Sequence, residues 1–366
     1  MSALNSARSH ALEFWWHQER HDLPVHLAQM LDLETLYDAL GDLIAERSGL
    51  GAAPGADADD NTVRQIEPKV ETSRMPPPSL LDLTLTLRSG VIGQDTAVGA
   101  VAECVTRSIA GLKLRPERPH GVILLNGPTG VGKTTLAREL ATAAYGDADA
   151  IIRLDMSEYA DAADARMKLI GASRIWKNST RDGLLTTRVL ERPRCVVLLD
   201  EFEKAHPGVW PLFLQVFDDG RLTDGWGNQA NFAETTIIMT TNLSADPEER
   251  TPEDVFPKEL IGRLDVNVTL VPLAADAIAQ IVSKEVSETL ARIAAQGWTI
   301  ELDDDVVGWL ASRQVETDLG VRSLHREIER LLLAPLVAFP ERFVQVAVRE
   351  DGEALTFQSP VEDLES

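Results

Sequence analysis

The chain has 366 residues, 44% of them hydrophobic, enough for more than one domain and for a sizeable core in at least one. Its formal net charge of -23, from 58 acidic against 35 basic residues, repels polyanions over most of the surface and disfavours nucleic acid as a partner. Cys104 and Cys195 alone cannot build a disulfide framework or a four-cysteine zinc site, and no apolar run approaches the roughly 20 residues of a spanning helix.

The N-terminal residues do not read as a secretory leader, because Glu13, His17, Glu19 and Arg20 interrupt any apolar stretch there, so a cytoplasmic location with no membrane partner is expected. Residues 7–20 and 33–47 have helical periodicity, the second run carrying Leu33, Leu36, Tyr37, Leu40, Leu43 and Ile44, and predict a small helical module over 1–48. Phe14, Trp15 and Trp16 either fill the core of that module or dock cargo or an adaptor. Over 49–78 the composition shifts to Gly, Ala, Asp and Pro, bounded by Ala53-Pro54-Gly55 and Pro76-Pro77-Pro78, which predicts a linker.

Across 79–271, apolar strand-like runs at 120–126, 151–155, 195–200 and 235–241 alternate with helical stretches. That alternation is the α/β pattern of a parallel sheet with helices on both faces. Residues 272–358 change to a mostly helical second domain, a lid. Its clearest helix places Ile278, Ile281, Val282 and Ile293 on one face ahead of Gly297, and strand-like runs at 342–349 and 355–358 close it before a tail at 359–366.

Gly127-Pro128-Thr129-Gly130-Val131-Gly132-Lys133-Thr134 follows the first apolar run and precedes a helix beginning near Thr135, the setting that a phosphate loop requires. Glycines let backbone N–H groups turn inward around phosphates, and the helix N-terminus adds its dipole. Lys133 is expected at the terminal phosphates of ATP and the Thr134 hydroxyl on Mg2+, with Thr135 counted among the nucleotide-binding residues. The run 195–199 delivers Asp200 and Glu201 at a strand end, where ligands of open α/β sheets bind. Asp200 is expected to hold Mg2+ and Glu201 to polarise the attacking water, the division of labour that hydrolysis of ATP needs.

Leu199-Asp200-Glu201 continues into Glu203-Lys204-Ala205-His206-Pro207 and then Leu214-Gln215-Val216-Phe217-Asp218-Asp219-Gly220-Arg221-Leu222-Thr223-Asp224-Gly225. With Val91-Ile92-Gly93-Gln94, Leu154-Asp155-Met156-Ser157-Glu158-Tyr159 and Met239-Thr240-Thr241-Asn242, the chain over roughly 80–358 resembles the second ATPase ring of the Clp/HSP100 chaperones, which are AAA+ proteins. The resemblance implies that Asn242 is the sensor 1 residue orienting water beside Glu201, and that Arg263 is an arginine finger acting on the neighbouring subunit's ATP. It further implies that Arg322, in Gly320-Val321-Arg322, is the sensor 2 residue contacting the γ-phosphate, that Val91 and Ile92 flank the adenine, and that the chain forms a closed homo-hexamer.

Two departures from that family bear on function. Trp176 stands where the family has a pore-loop tyrosine and Lys177 follows it, but the flanking glycines are absent: an indole still grips a polypeptide by its apolar face, while the loop loses flexibility. Between Leu243 and Phe256 there is no room for a peptidase docking loop, and 244–255 holds no glycine, so no peptidase partner is expected. The expected function is a single-ring, ATP-hydrolysing remodeller of a protein substrate or adaptor-borne cargo. The alternative is a non-threading assembly switch or dedicated complex disassembler.

Overall fold

A computed structural model of the chain describes residues 78–171, 183–243, 250–315, 323–339 and 342–359. The expected N-terminal module and nearly all of the linker lie outside the described residues, as do Trp176, Lys177 and Arg322.

Three runs of continuous apolar sequence make the centre of the large domain. They are β1 (Gly121–Asn126), β3 (Val196–Asp200) and β6 (Thr236–Thr240), every residue of which is buried. Strands buried on both faces are what a parallel sheet covered by helices demands, and polar alternation is confined to the edges. The edges are β2 (Ile151–Asp155) and β7 (Val266–Thr269), which alternate between covered and exposed residues. All pairings are parallel, in the order β2-β3-β6-β1-β7. A short antiparallel hairpin, β4 (Arg221–Thr223) with β5 (Gln229–Asn231), is inserted between β3 and β6.

Successive side chains of the central strands serve opposite cores. Ile123, Leu125, Leu198 and Ile238 face the helices Leu80–Gly90, Asp95–Ile109 and Lys133–Tyr145, which contribute Leu87, Val101, Leu136 and Leu140. Leu124, Leu199, Ile237 and Met239 face the other layer, where Phe202 meets Phe213 edge-on with ring centroids 5.3 Å apart. Each of these phenylalanines is essentially unexposed, so its truncation to alanine costs about 3–5 kcal/mol.

The second domain begins with the helix Ala275–Ala294, whose Val282 and Val286 pack on Val306, Leu310, Leu324 and Ile328. It contains more sheet than the sequence pattern suggests. Besides β9 (Phe343–Val348) and β10 (Leu355–Gln358), a strand β8 (Thr299–Leu302) joins β9 in parallel to make a three-stranded sheet. β8 and β7 are both four residues long with polar alternate positions, too short and too polar for hydrophobic periodicity to mark them.

Candidate active site

Strand register brings the C-terminal ends of β1, β2, β3 and β6 to one edge. Asp155 pairs with Asp200, Leu199 with Met239, and Leu125 with Thr240. The phosphate loop leaves β1 there. The Asn126 side-chain oxygen accepts the Gly127 N–H at 2.8 Å and starts the turn. Gly127, Gly130 and Gly132 have φ of 136°, 80° and 105°, conformations closed to other L residues at little cost. Gly127 is doubly constrained, because a Cβ would sit 2.5 Å from the Leu270 carbonyl oxygen.

Helix Lys133–Tyr145 starts directly after Gly132 and points its N-terminus at the loop, with Thr134 half-buried and Thr135 exposed on its first turn. Pro128 and Thr129 lie at the exposed rim, and Val131 is buried beneath them. The Lys133 side chain crosses the loop and donates to the carbonyls of Gly127 at 2.5 Å and Pro128 at 2.8 Å and to Asn242 Oδ1 at 2.9 Å. Val91 is buried, its Cγ1 3.7 Å from where a Cβ on Gly132 would lie, and Ile92 is half-buried beside it.

Gln94 has a role that sequence reasoning missed. Its buried amide donates to the carbonyls of Val131 at 3.3 Å and Val271 at 2.8 Å, and accepts the Val271 N–H at 3.1 Å. It ties the loop to the segment that leads from β7 into the second domain. Gly93, at φ 76°, lets that domain approach: a Cβ there would stand 2.9 Å from the Ala277 methyl.

Opposite the loop, Asp200 is 7% exposed. Its Oδ1 accepts from the Thr240 hydroxyl at 2.5 Å and its Oδ2 from Arg153 at 2.7 Å. Glu201 departs from the strand in the left-handed region, φ 56° and ψ 50°, unusual for a residue with a side chain. One carboxylate oxygen accepts from Asn242 Nδ2 at 3.3 Å and the other from Lys204 at 2.5 Å. That carboxylate raises the Lys204 ammonium above its ordinary pKa. The Asn242 N–H in turn donates to Glu203 at 3.1 Å.

Lys133, Asn242 and Glu201 therefore form one connected chain of hydrogen bonds, with Asp200 on the adjoining strand end. Arg263 stands apart from them. Its guanidinium is bonded to Asp218, to the Glu259 carbonyl at 2.7 Å and to the Glu259 carboxylate at 3.1 Å, and the Asp218 carboxylate raises its pKa. Arg118 holds the Arg263 carbonyl at 2.8 Å. Besides Gln94, the partners not foreseen are Arg153, Lys204 and Thr240. Thr240 alone left a visible mark, a hydroxyl that closes the apolar run Ile237-Ile238-Met239 at the end where Asp200 closes its own strand.

Comparison with known proteins matches both domains. A family model described as an AAA domain (Cdc48 subfamily) covers residues 118–269, and one described as the C-terminal, D2-small domain of ClpB protein covers 273–342. A chaperone protein ClpB of Enterococcus faecalis is 37% identical over 310 residues, 78% of this chain and 35% of that protein. A probable ATP-dependent Clp protease ATP-binding subunit of Chlamydia pneumoniae is 32% identical over 362 residues, 93% of this chain and 39% of that protein. The S. cerevisiae Hsp104:casein complex in its extended conformation superposes with a TM-score of 0.67 at 30% identity, over 76% of this chain and 52% of that one. The chain spans little more than a third of the length of these two sequence relatives.

Proposed function

The chain belongs to the Clp/HSP100 AAA+ ATPases, carrying their second-ring ATPase module with its small C-terminal domain, and from that membership we propose that it is a ring-forming motor that hydrolyses ATP to remodel proteins. The observation that supports this most directly is the linkage of Lys133, Asn242 and Glu201 at the mouth of the phosphate loop.

In this reading backbone N–H groups of residues 129–134 and the Lys133 ammonium receive the phosphates of ATP, and Val91 and Ile92 flank the adenine. The donor set fits magnesium arriving with the nucleotide. Thr134 offers one hydroxyl and Asp200 one carboxylate, and among the described residues no group of three or more His, Cys, Asp or Glu forms a protein-only cage. When bound, magnesium neutralises charge on the phosphate oxygens. Glu201 takes the proton of the attacking water, and Asn242 holds the carboxylate in place for it. Lys204 must first release Glu201 Oε2; it is 51% exposed and moves into solvent at little cost. Arg153, which holds Asp200 Oδ2, is 53% exposed and yields in the same way.

Arg263 reaches the neighbouring subunit's nucleotide in a homo-hexamer, and Arg322 couples the second domain to the γ-phosphate. The casein held by Hsp104 points to a protein substrate for this chain, gripped by Trp176 with Lys177, without a peptidase partner and in the cytoplasm. The expected division of the chain at 48, 78, 271 and 358 belongs to the same proposal.

Glu201→Gln tests hydrolysis: the variant is expected to bind ATP and assemble without releasing phosphate, and substantial turnover refutes the assigned base. The missing glycines beside Trp176 support a second reading, a switch that assembles or docks with ATP and threads nothing. Trp176→Ala separates the two, since a threading motor keeps its ATPase and loses remodelling, whereas unchanged remodelling leaves the switch.

A further inference from the structure

We infer that Thr240 is a positioning residue that sets the geometry of both acidic groups, an inference that rests on the nucleotide site proposed above. Asp200 and Thr240 are the next residues out from the paired Leu199 and Met239, so they end neighbouring strands side by side. The Thr240 hydroxyl donates its proton to Asp200 Oδ1 at 2.5 Å and accepts the Glu201 N–H at 3.1 Å. The directions are forced, because an ionised carboxylate only accepts and an amide N–H only donates. Thr240 is 1% exposed, so water does not compete for either bond.

One hydroxyl thereby performs two tasks. It fixes the rotamer of Asp200, and it holds the backbone of Glu201 at the residue where the strand breaks into the left-handed region. A strand continued through Glu201 would send its side chain to the face opposite Asp200. The break instead brings Glu201 Oε1 within 3.3 Å of Asn242 Nδ2. Thr240 and Asn242, two residues apart on one segment, hold the backbone and the carboxylate of the same glutamate. Glu201 lies 39 positions from Thr240 and 41 from Asn242, so only the sheet register discloses these pairings.

The test compares Thr240→Val, which keeps the shape and removes the hydroxyl, with Thr240→Ser, which keeps the hydroxyl. The valine variant is expected to melt cooperatively and to bind N-methylanthraniloyl ATP without magnesium as the parent does. It should need about 10–100-fold more magnesium for the same gain in nucleotide affinity, and lose about 100-fold in kcat with KM little changed. Without any nucleotide, amide exchange in peptides spanning Asp200 and Glu201 should rise about tenfold. Serine should restore all of these to within about threefold. If valine does not fold, Thr240→Ala takes its place in the same comparison.

Parent-like exchange and magnesium dependence in the hydroxyl-free variant overturn the inference, as does a folded serine variant that behaves like valine. A parent chain that binds nucleotide without turning it over refutes the hydrolysis reading instead. The exchange and magnesium-binding comparisons still decide the role of Thr240.

Discussion

The amide oxygen of Asn242 accepts the Lys133 ammonium at 2.9 Å, while the amide nitrogen of the same side chain donates to Glu201 at 3.3 Å. One asparagine thus joins the residue proposed to meet phosphate to the residue proposed to meet water. Asn242→Asp keeps an acceptor for Lys133 and removes the donor to Glu201, whereas Asn242→Ala removes both. Both variants are expected to lose about 100-fold or more in kcat, the usual cost of removing one preorganised donor. The two should differ in nucleotide affinity, which falls in the aspartate variant, whose added negative charge repels phosphate and holds Lys133 more strongly, and not in the alanine variant, which releases Lys133. Steady-state kinetics beside nucleotide titration checks this split, and an aspartate variant with parent-like turnover would sink the role given to Asn242.

Arg263 is held within its own chain by Asp218 and Glu259, and the finger role proposed for it requires that it exchange these partners for a neighbour's phosphate. Arg263→Ala is expected to bind nucleotide normally and to lose about 10³-fold or more in turnover. A mixing experiment shows whether the arginine acts between subunits. Arg263→Ala and Glu201→Gln chains are each inactive alone, but in a mixed ring some interfaces combine an intact Glu201 with an intact Arg263. Phosphate release that reappears on mixing supports action in trans, and a mixture as silent as its components counts against it.

The phosphate loop, the two acidic residues and Asn242 were legible because each lies in a contiguous pattern: glycines at fixed spacing, carboxylates closing an apolar strand, an asparagine closing another. The bonds that organise them were not. Gln94 reaches Val271 across 177 positions, Arg153 reaches Asp200 across 47, and Thr240 reaches Asp200 across 40. Those separations are closed by strand order and register, which no local spacing encodes. The same holds for Arg263, recognisable by its motif but not by the Asp218 and Glu259 that hold it. In the fold, β1, β3 and β6 announced themselves by their apolar runs, whereas β7 and β8 are short, half-exposed and carry no such run.

Glycine identity in the loop can be separated from glycine as such. Gly127→Ala places a side chain at φ 136° and 2.5 Å from the Leu270 carbonyl, which the backbone of a neighbouring segment cannot relieve cheaply. The strain of the forbidden conformation alone is about 1–3 kcal/mol, and the clash adds to it. Nucleotide affinity should fall steeply and the melting temperature should drop. Gly99, inside the helix Asp95–Ile109 with nothing near its Cβ position, is the control. Gly99→Ala should stabilise the protein by about 0.5–1 kcal/mol and leave nucleotide binding unchanged. A Gly127→Ala variant that binds ATP like the parent would show that the loop adopts another path.

His120, at the start of β1, makes stability depend on pH. Its Nδ1 lies 2.9 Å from the Ser108 hydroxyl, and burial, reinforced by the nearby charges of Lys113 and Arg194, pushes the imidazole pKa down to about 4. The unfolded chain binds this proton near pH 6.5, so between about 6.5 and 4 it takes up a proton that the folded chain refuses. The stabilisation is complete above about pH 6.5 and is lost as the pH falls towards 4, at which point the histidine accounts for up to about 3 kcal/mol. Carboxylates also titrate near the bottom of that window, so the measurement is the difference between the parent and His120→Gln. Melting temperatures should run parallel from pH 8 to 7 and converge towards the variant's as the pH falls from 6.5 to 4.5, because glutamine has no proton to take up. Parallel curves across the whole range would mean that His120 titrates in the folded protein as it does in water.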